Sequence, residues 1–184
     1  MLDELFKDFI KENDVKQELF NKYEEILPDE LIAVWKKYGF GSFMGGYIKV
    51  INPEEYQDLI IATYFRGSIS IPIFITAFGD VINWEENRFI RMVKYKNGIF
   101  KGMAASFRFF FEDLQNGLFD EEYFDISMYT EAVQTWGEIK YDECFGYVPL
   151  LGLGGSEKVQ NLKKVKIKEH IEIISQLVGG VGVC

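Results

Sequence analysis

The sequence predicts an α+β fold: an antiparallel meander sheet of about four to six strands, flanked by N-terminal, middle and C-terminal helices. Three observations predict it. Apolar residues recur at helical spacing before Gly39 and again after Ser106. Between them, short β-rich segments follow one another with turn residues in between. Asn97-Gly98 joins two such segments, the strongest short hairpin signal in the chain.

Taken in order, Leu2, Leu5, Phe6, Phe9 and Ile10 repeat at helical spacing, and so do Val15, Leu19, Phe20, Tyr23, Ile26 and Leu27. Pro28-Asp29-Glu30 starts a third helix, with proline in the first turn and acids near the positive end of the dipole. Leu31, Val34, Trp35 and Tyr38 line its buried face, and Gly39 is a natural stop. Tyr47–Ile51 reads as a strand. Asn52-Pro53-Glu54-Glu55 caps a helix that runs to about Thr63. Ile71–Phe78, Val81–Glu85, Phe89–Lys96 and Ile99–Met103 read as further strands, with a turn at Gly79-Asp80. Helices return at Ser106–Asn116 and Ser127–Trp136, closed by Gly117 and Gly137. Phe145–Gly155 reads as a connection, Leu162–Ile167 as a strand, and Lys168–Val178 as the last helix. The division expected is an α+β region over 1–110 and a C-terminal region over 111–184, packed as one compact unit.

Composition narrows the function. With 48% hydrophobic and 27% charged residues in 184, the chain is of ordinary globular make-up, so intrinsic disorder is excluded. Its longest apolar stretch, Ile69–Phe78, is too short and too interrupted to span a bilayer, and the charged start shows no secretory signal. Two cysteines, Cys144 and Cys184, make no disulfide framework, so a reduced, cytoplasmic protein is expected. The net charge is −9, and residues 111–145, with ten acids and one base, equal that whole excess. Such a field repels phosphate backbones and attracts a basic protein surface, which argues against a nucleic-acid binder.

Catalytic motifs are sparse. The one histidine, His170, stands beside Glu169 on the last helix and reads as a helix-surface or interface residue. One histidine and two distant cysteines do not make a zinc site. The glycine clusters at 39–46, 146–155 and 179–182 miss the phosphate-binding spacings and read as tight turns. Asp80 with Glu85 or Glu86, and Asp142-Glu143, are the carboxylate pairs that acid–base chemistry would need. Phe107, Phe109, Phe110 and Phe111 are nearly contiguous and read as core, with an aromatic anchor set at an interface as the alternative. No cofactor or metal is expected.

Several strings carry a resemblance. Trp35-Lys36-Lys37-Tyr38-Gly39-Phe40-Gly41-Ser42-Phe43, Gly46-Tyr47, Asn52-Pro53 with Tyr56, Pro72-Ile73-Phe74 with Thr76-Ala77-Phe78-Gly79-Asp80, and Trp84-Glu85 resemble the GAD-like domain of bacterial immunity proteins. Phe145-Gly146-Tyr147-Val148-Pro149-Leu150-Leu151-Gly152-Leu153-Gly154-Gly155, with Val159–Ile171, resembles the C-terminal region of the type VI secretion immunity family. A wider resemblance is to the SMI1/KNR4-like (SUKH) immunity superfamily. The resemblance implies a non-catalytic cytoplasmic protein that binds and blocks a cognate toxin, in this branch typically a DNase. Glu112, Asp113, Asp120, Glu121, Glu122 and Asp125 are the residues expected to form its electrostatic contact surface, with Tyr123 and Phe124 as anchors. The alternatives are a regulatory or scaffold protein binding a non-toxin partner, and an enzyme using Asp80, Glu85 and Glu86.

Overall fold

The chain opens with a reversal rather than the long helix its apolar spacing predicts. In the computed structural model, which describes residues 2–120 and 122–182, helix α1 is Leu2–Leu5 and the chain then turns back into an edge strand, β1 (Ile10–Asn13). Tertiary packing overrides the period. Phe6 is stacked between Phe43 and Tyr38, at ring-centroid distances of 4.4 and 4.9 Å. Ile10, counted as part of a buried stripe, is 65% exposed. The glycine run expected to form only turns supplies the partner strand, β2 (Phe40–Phe43). A Cβ on Gly41 would lie 2.3 Å from the Ile10 carbonyl oxygen, so only glycine lets β1 approach this closely.

The remaining elements are α2 (Gln17–Tyr23), α3 (Asp29–Lys37), β3 (Ile48–Val50), α4 (Gln57–Thr63), β4 (Ser70–Thr76), β5 (Val81–Glu85), β6 (Phe89–Lys94), β7 (Ile99–Ala104), α5 (Phe107–Gln115), α6 (Ile126–Trp136), β8 (Glu143–Tyr147), β9 (Leu162–Lys166) and α7 (Ile167–Val178). Among the described residues, seven strands form one antiparallel meander in the order β1-β2-β3-β4-β5-β6-β7. The sheet is therefore wider than expected, because β1 and β2 carry no local strand signature. β8 and β9 pair separately, and β8 replaces the first part of the predicted Phe145–Gly155 connection.

The caps behave as their residue types dictate. Asn52 accepts a hydrogen bond from the Glu54 amide at 3.1 Å, and Pro53 opens the turn that leads into α4. Gly98 closes the turn between β6 and β7 at φ +66°. One side of the sheet buries Phe43, Ile48, Phe74, Ile82 and Met92 against Trp35 of α3 and Phe107, Phe110, Phe111 and Leu114 of α5. The other buries Ile75, Val81 and Val93 against Ile60 of α4 and Ile171 and Ile174 of α7. Phe145 and Cys144, adjacent on β8, enter the first and second of these clusters respectively. The Phe145 amide donates to the Ala77 carbonyl at 2.7 Å, and the Tyr141 hydroxyl to that of Val50 at 2.7 Å. Among the described residues, no helix is long and apolar enough to cross a membrane.

Candidate partner-binding surface

The acidic run begins on α5, where the helical repeat sorts its residues. Phe107, Phe110, Phe111 and Leu114 face the core. Phe109, Glu112 and Asp113, spaced i, i+3 and i+4, share the opposite face, with Phe109 54% exposed and both acids half-buried. Gly117 ends the helix, and Leu118 follows it 63% exposed. Asp120 is half-buried and Glu122 exposed, while Glu121 lies outside the described residues.

The groups expected as aromatic anchors have other duties. Phe124 is 1% exposed and packs on Tyr47 and Phe119, at 5.2 and 5.9 Å between rings. It is core, and no partner can reach it without unfolding the segment. Tyr123 is half-buried, with its hydroxyl donating to the Gly102 carbonyl at 2.7 Å. Asp125 is half-buried and paired internally with Lys96 and with Lys94 at 3.6 Å. Lys94 also donates to the Tyr123 carbonyl at 2.9 Å. Both lysine side chains are under a tenth exposed. Burial pushes the Asp125 carboxyl up, but Lys96 and Lys94 outweigh it and the net shift is downward. The segment between α5 and α6 is thus strapped to the sheet.

This strap makes a prediction. Asp125→Ala leaves two desolvated ammonium groups without their counter-charge and is expected to cost about 2 kcal/mol at pH 7, discounted because the carboxylate is half-exposed. The carboxyl's folded pKa lies below its unfolded value, so its contribution is full above pH 3.8 and fades as pH falls through the folded value. Denaturant titration at pH 7 and pH 3 checks this: the gap between variant and parent should shrink at pH 3. Equal stabilities at pH 7 would show that the strap is held by packing alone.

Acids from the N-terminus join the same surface. A groove of about 470 Å³ runs between Glu4, Lys7 and Asp8 on one wall and Leu114 and Asp120 on the other. Asp8 accepts from the Met44 amide at 3.2 Å and from the Gly45 amide at 2.5 Å, which fixes its carboxylate at the rim. Sequence separation hid Glu4 and Asp8, because only the packing of α1 on α5 brings them here. Phe109, read as core with its neighbours, is instead 54% exposed, because its i, i+3, i+4 relation to Glu112 and Asp113 puts it on the acidic face.

The carboxylates considered for acid–base chemistry are held differently. Asp80 and Glu85 stand at opposite ends of β5, about 16 Å apart at 3.3 Å per residue. Both are fully buried. Glu85 takes part in ion pairs with Arg66 and Arg91, each at 2.9 Å, and accepts from the Ser70 hydroxyl at 2.9 Å. Glu86 pairs with Arg66 at 3.2 Å. Burial pushes the Asp80 carboxyl up to about 6, against the pull of Lys96 and Lys94. Asp142 holds Lys166 at 2.6 Å across the β8–β9 pair. His170, expected on the helix surface or at an interface, is only 6% exposed, because α7 turns it toward β8. Cys144 is fully buried, and burial pushes its thiol up to about 12. Cys184 lies outside the described residues. Among the described residues, no three histidines, cysteines or carboxylates gather as metal ligands.

Comparison with known proteins places this geometry. No curated protein matches the chain. The crystal structure of Atu4351 from Agrobacterium tumefaciens has the same fold, with a TM-score of 0.74 over 96% of this chain and 89% of that one, at 17% identity. Residues 1–97 match the family model of the GAD-like domain, and residues 104–178 match that of the T6SS immunity protein Tdi1, C-terminal. The second match begins at Ala104, the last residue of β7, and takes in the acidic segment, while the first alone spans more than half of the sequence: the chain belongs to the GAD-like family.

Proposed function

We propose that this chain is an immunity protein that acts in the cytoplasm by binding a cognate type VI secretion toxin of the basic, nuclease type and covering its active site. The observation that carries the reading is the pair of family matches, which together take in strands β1 to β6 and the acidic segment. The surface supports it physically. Glu112, Asp113, Asp120 and Glu122, with Asp8 at the groove, put a negative field around the exposed rings and side chains of Phe109 and Leu118. A nuclease presents a cationic cleft to bind phosphate, so an acidic face steers encounter and competes with the nucleic acid. An apolar centre within a charged rim is also the usual layout of a binding hot spot. Tyr123 contributes at the rim, while Phe124 and Asp125 hold the segment in shape.

Two variants test the reading, with the product of the neighbouring gene taken as the candidate toxin. Reversing Glu112, Asp113 and Glu122 to lysine is expected to slow association at low salt by about 10- to 1000-fold and to weaken its dependence on ionic strength. Phe109→Ala is expected to raise the Kd about 30-fold, chiefly through faster dissociation. Co-expression should show growth rescue by the parent chain and lost rescue with the triple reversal. A parent chain that neither binds the toxin nor rescues growth overturns the function. Unchanged rates in the triple reversal remove this face from it.

A further inference from the structure

A cavity of about 360 Å³ opens on the side of the molecule away from α5, between the β6–β7 turn, the end of β8, the glycine-bearing loop after it, and α7. Its walls are polar and apolar in about equal measure: Leu150, Leu151, Ile174, Val178 and Tyr95 line it together with Lys96, Asn97 and Glu157. Two further polar groups stand in that wall. His170 is 6% exposed and Tyr147 is 4% exposed, yet neither the imidazole nor the phenol hydroxyl makes a hydrogen bond with the described residues. They are not sealed in protein either. Both line the cavity, and each keeps a small part of its surface exposed.

The position of His170 is built rather than incidental. The Cε1–Nε2 edge of its ring packs against Gly146: a Cβ there would sit 2.5 Å from both atoms. Any larger residue at 146 would expel the imidazole from the wall. At the mouth, the Asn97 side-chain amide donates to Glu157 Oε1 at 3.2 Å, joining the β6–β7 turn to the loop.

Charge selects the kind of ligand. Lys96 lines the cavity, but its ammonium is taken by Asp125 and lies 4.2 Å from the Phe78 ring centroid. The Glu157 carboxylate stands at the mouth, where it accepts from the Asn97 side-chain amide. Burial holds the His170 pKa below its ordinary value, so at neutral pH the ring is a neutral donor–acceptor pair. A concave site of this size, with fixed polar groups set beside aliphatic side chains, fits a small-molecule ligand.

The structure assigns this cavity to a small uncharged heterocycle of nucleobase size, with His170 and Tyr147 reading one donor–acceptor edge and the aliphatic wall and Tyr95 covering its faces. The site lies apart from the acidic face and is independent of toxin binding.

His170 is the chain's one histidine, so its imidazole Cε1–H gives a single assignable NMR signal. Titration with adenine, uracil and indole is expected to shift that signal saturably for at least one of them, with a Kd in the range of about 10 µM to 1 mM. Tyr147→Phe, which keeps the reporter, should weaken that probe about tenfold. Val178→Trp, at a residue 43% exposed, should fill the cavity and abolish the shift; Leu150→Trp does the same from the loop side if the first variant folds poorly. No saturable shift with any of the three probes would overturn the assignment. So would an unchanged shift in a folded tryptophan variant, or toluene binding as tightly as the heterocycles.

Discussion

Glu85→Ala is expected to remove about 3–5 kcal/mol of stability, close to the whole margin of a small domain. Glu85 closes β5 with no solvent exposure, and three groups from three segments meet on it. Arg66 follows α4, Arg91 lies on the neighbouring strand β6, and Ser70 opens β4. The side chains of both arginines are only about a quarter exposed. Truncation leaves two guanidinium groups partly desolvated and without their carboxylate, and an unpaired buried charge costs more than the pair was worth. Glu86 cannot replace it, because its backbone sits at φ +54° in the β5–β6 turn and its carboxylate reaches only Arg66. Thermal unfolding should fall by about 8–15 °C for a chain of this length. Glu85→Gln, which keeps the shape and the Ser70 contact, should lose roughly half as much. A loss under about 1 kcal/mol in the alanine variant would mean that the arginines find water freely and that this network is decorative.

Lys49→Met is expected to do the opposite and to stabilise the protein by about 3 kcal/mol at pH 7. Lys49 is central on β3, opposite Ile75 of β4, and 1% exposed. Among the described residues its ammonium nitrogen has no hydrogen-bond partner. Burial pushes its pKa down to about 8, only partly offset by Cys144, Glu143 and Asp142. A base whose folded pKa lies below its unfolded value destabilises the fold whenever it is charged in the unfolded chain. The cost is therefore full below pH 8, declines as pH rises toward 10.5, and is gone above it. Methionine fills similar volume without that cost. Chemical denaturation of both proteins at pH 7 and pH 9.5 checks the sign and the slope. The stabilisation should shrink at the higher pH, and an equal gain at both would show that packing, not charge, is responsible.

The surface shows where local pattern is a good guide and where it is not. The repeat on α5 separates Phe109, Glu112 and Asp113 from Phe107, Phe110 and Phe111, because a helix sorts its residues by angle alone. Phe124 and Tyr123 stand in an irregular segment with no period, so which ring turns inward depends on what waits for it. Tyr47 and Phe119 wait for Phe124, and the Gly102 carbonyl waits for Tyr123. Asp125 looks like its acidic neighbours in the sequence, yet its partners lie about thirty residues back at Lys94 and Lys96.

Strands divide in the same way. Val81–Glu85 is legible because it is β-branched, bounded by turn residues, and paired with its immediate neighbours along the chain. Ile10–Asn13 and Phe40–Phe43 are strands because they meet each other across a glycine that tolerates the approach. Neither has a strand signature of its own, and the first carries a helical one.

By itself, then, the sequence determined the α+β class, the helices from α2 onward, the hairpin at Asn97-Gly98 and the concentration of acid after α5, all properties of residues close together in the chain. Only the tertiary structure decided how wide the sheet is, which acids and rings remain available to a partner, and that His170 lies in the wall of a cavity. Those outcomes depend on burial and charge pairing between distant residues, and such energies do not exist until the chain has closed on itself.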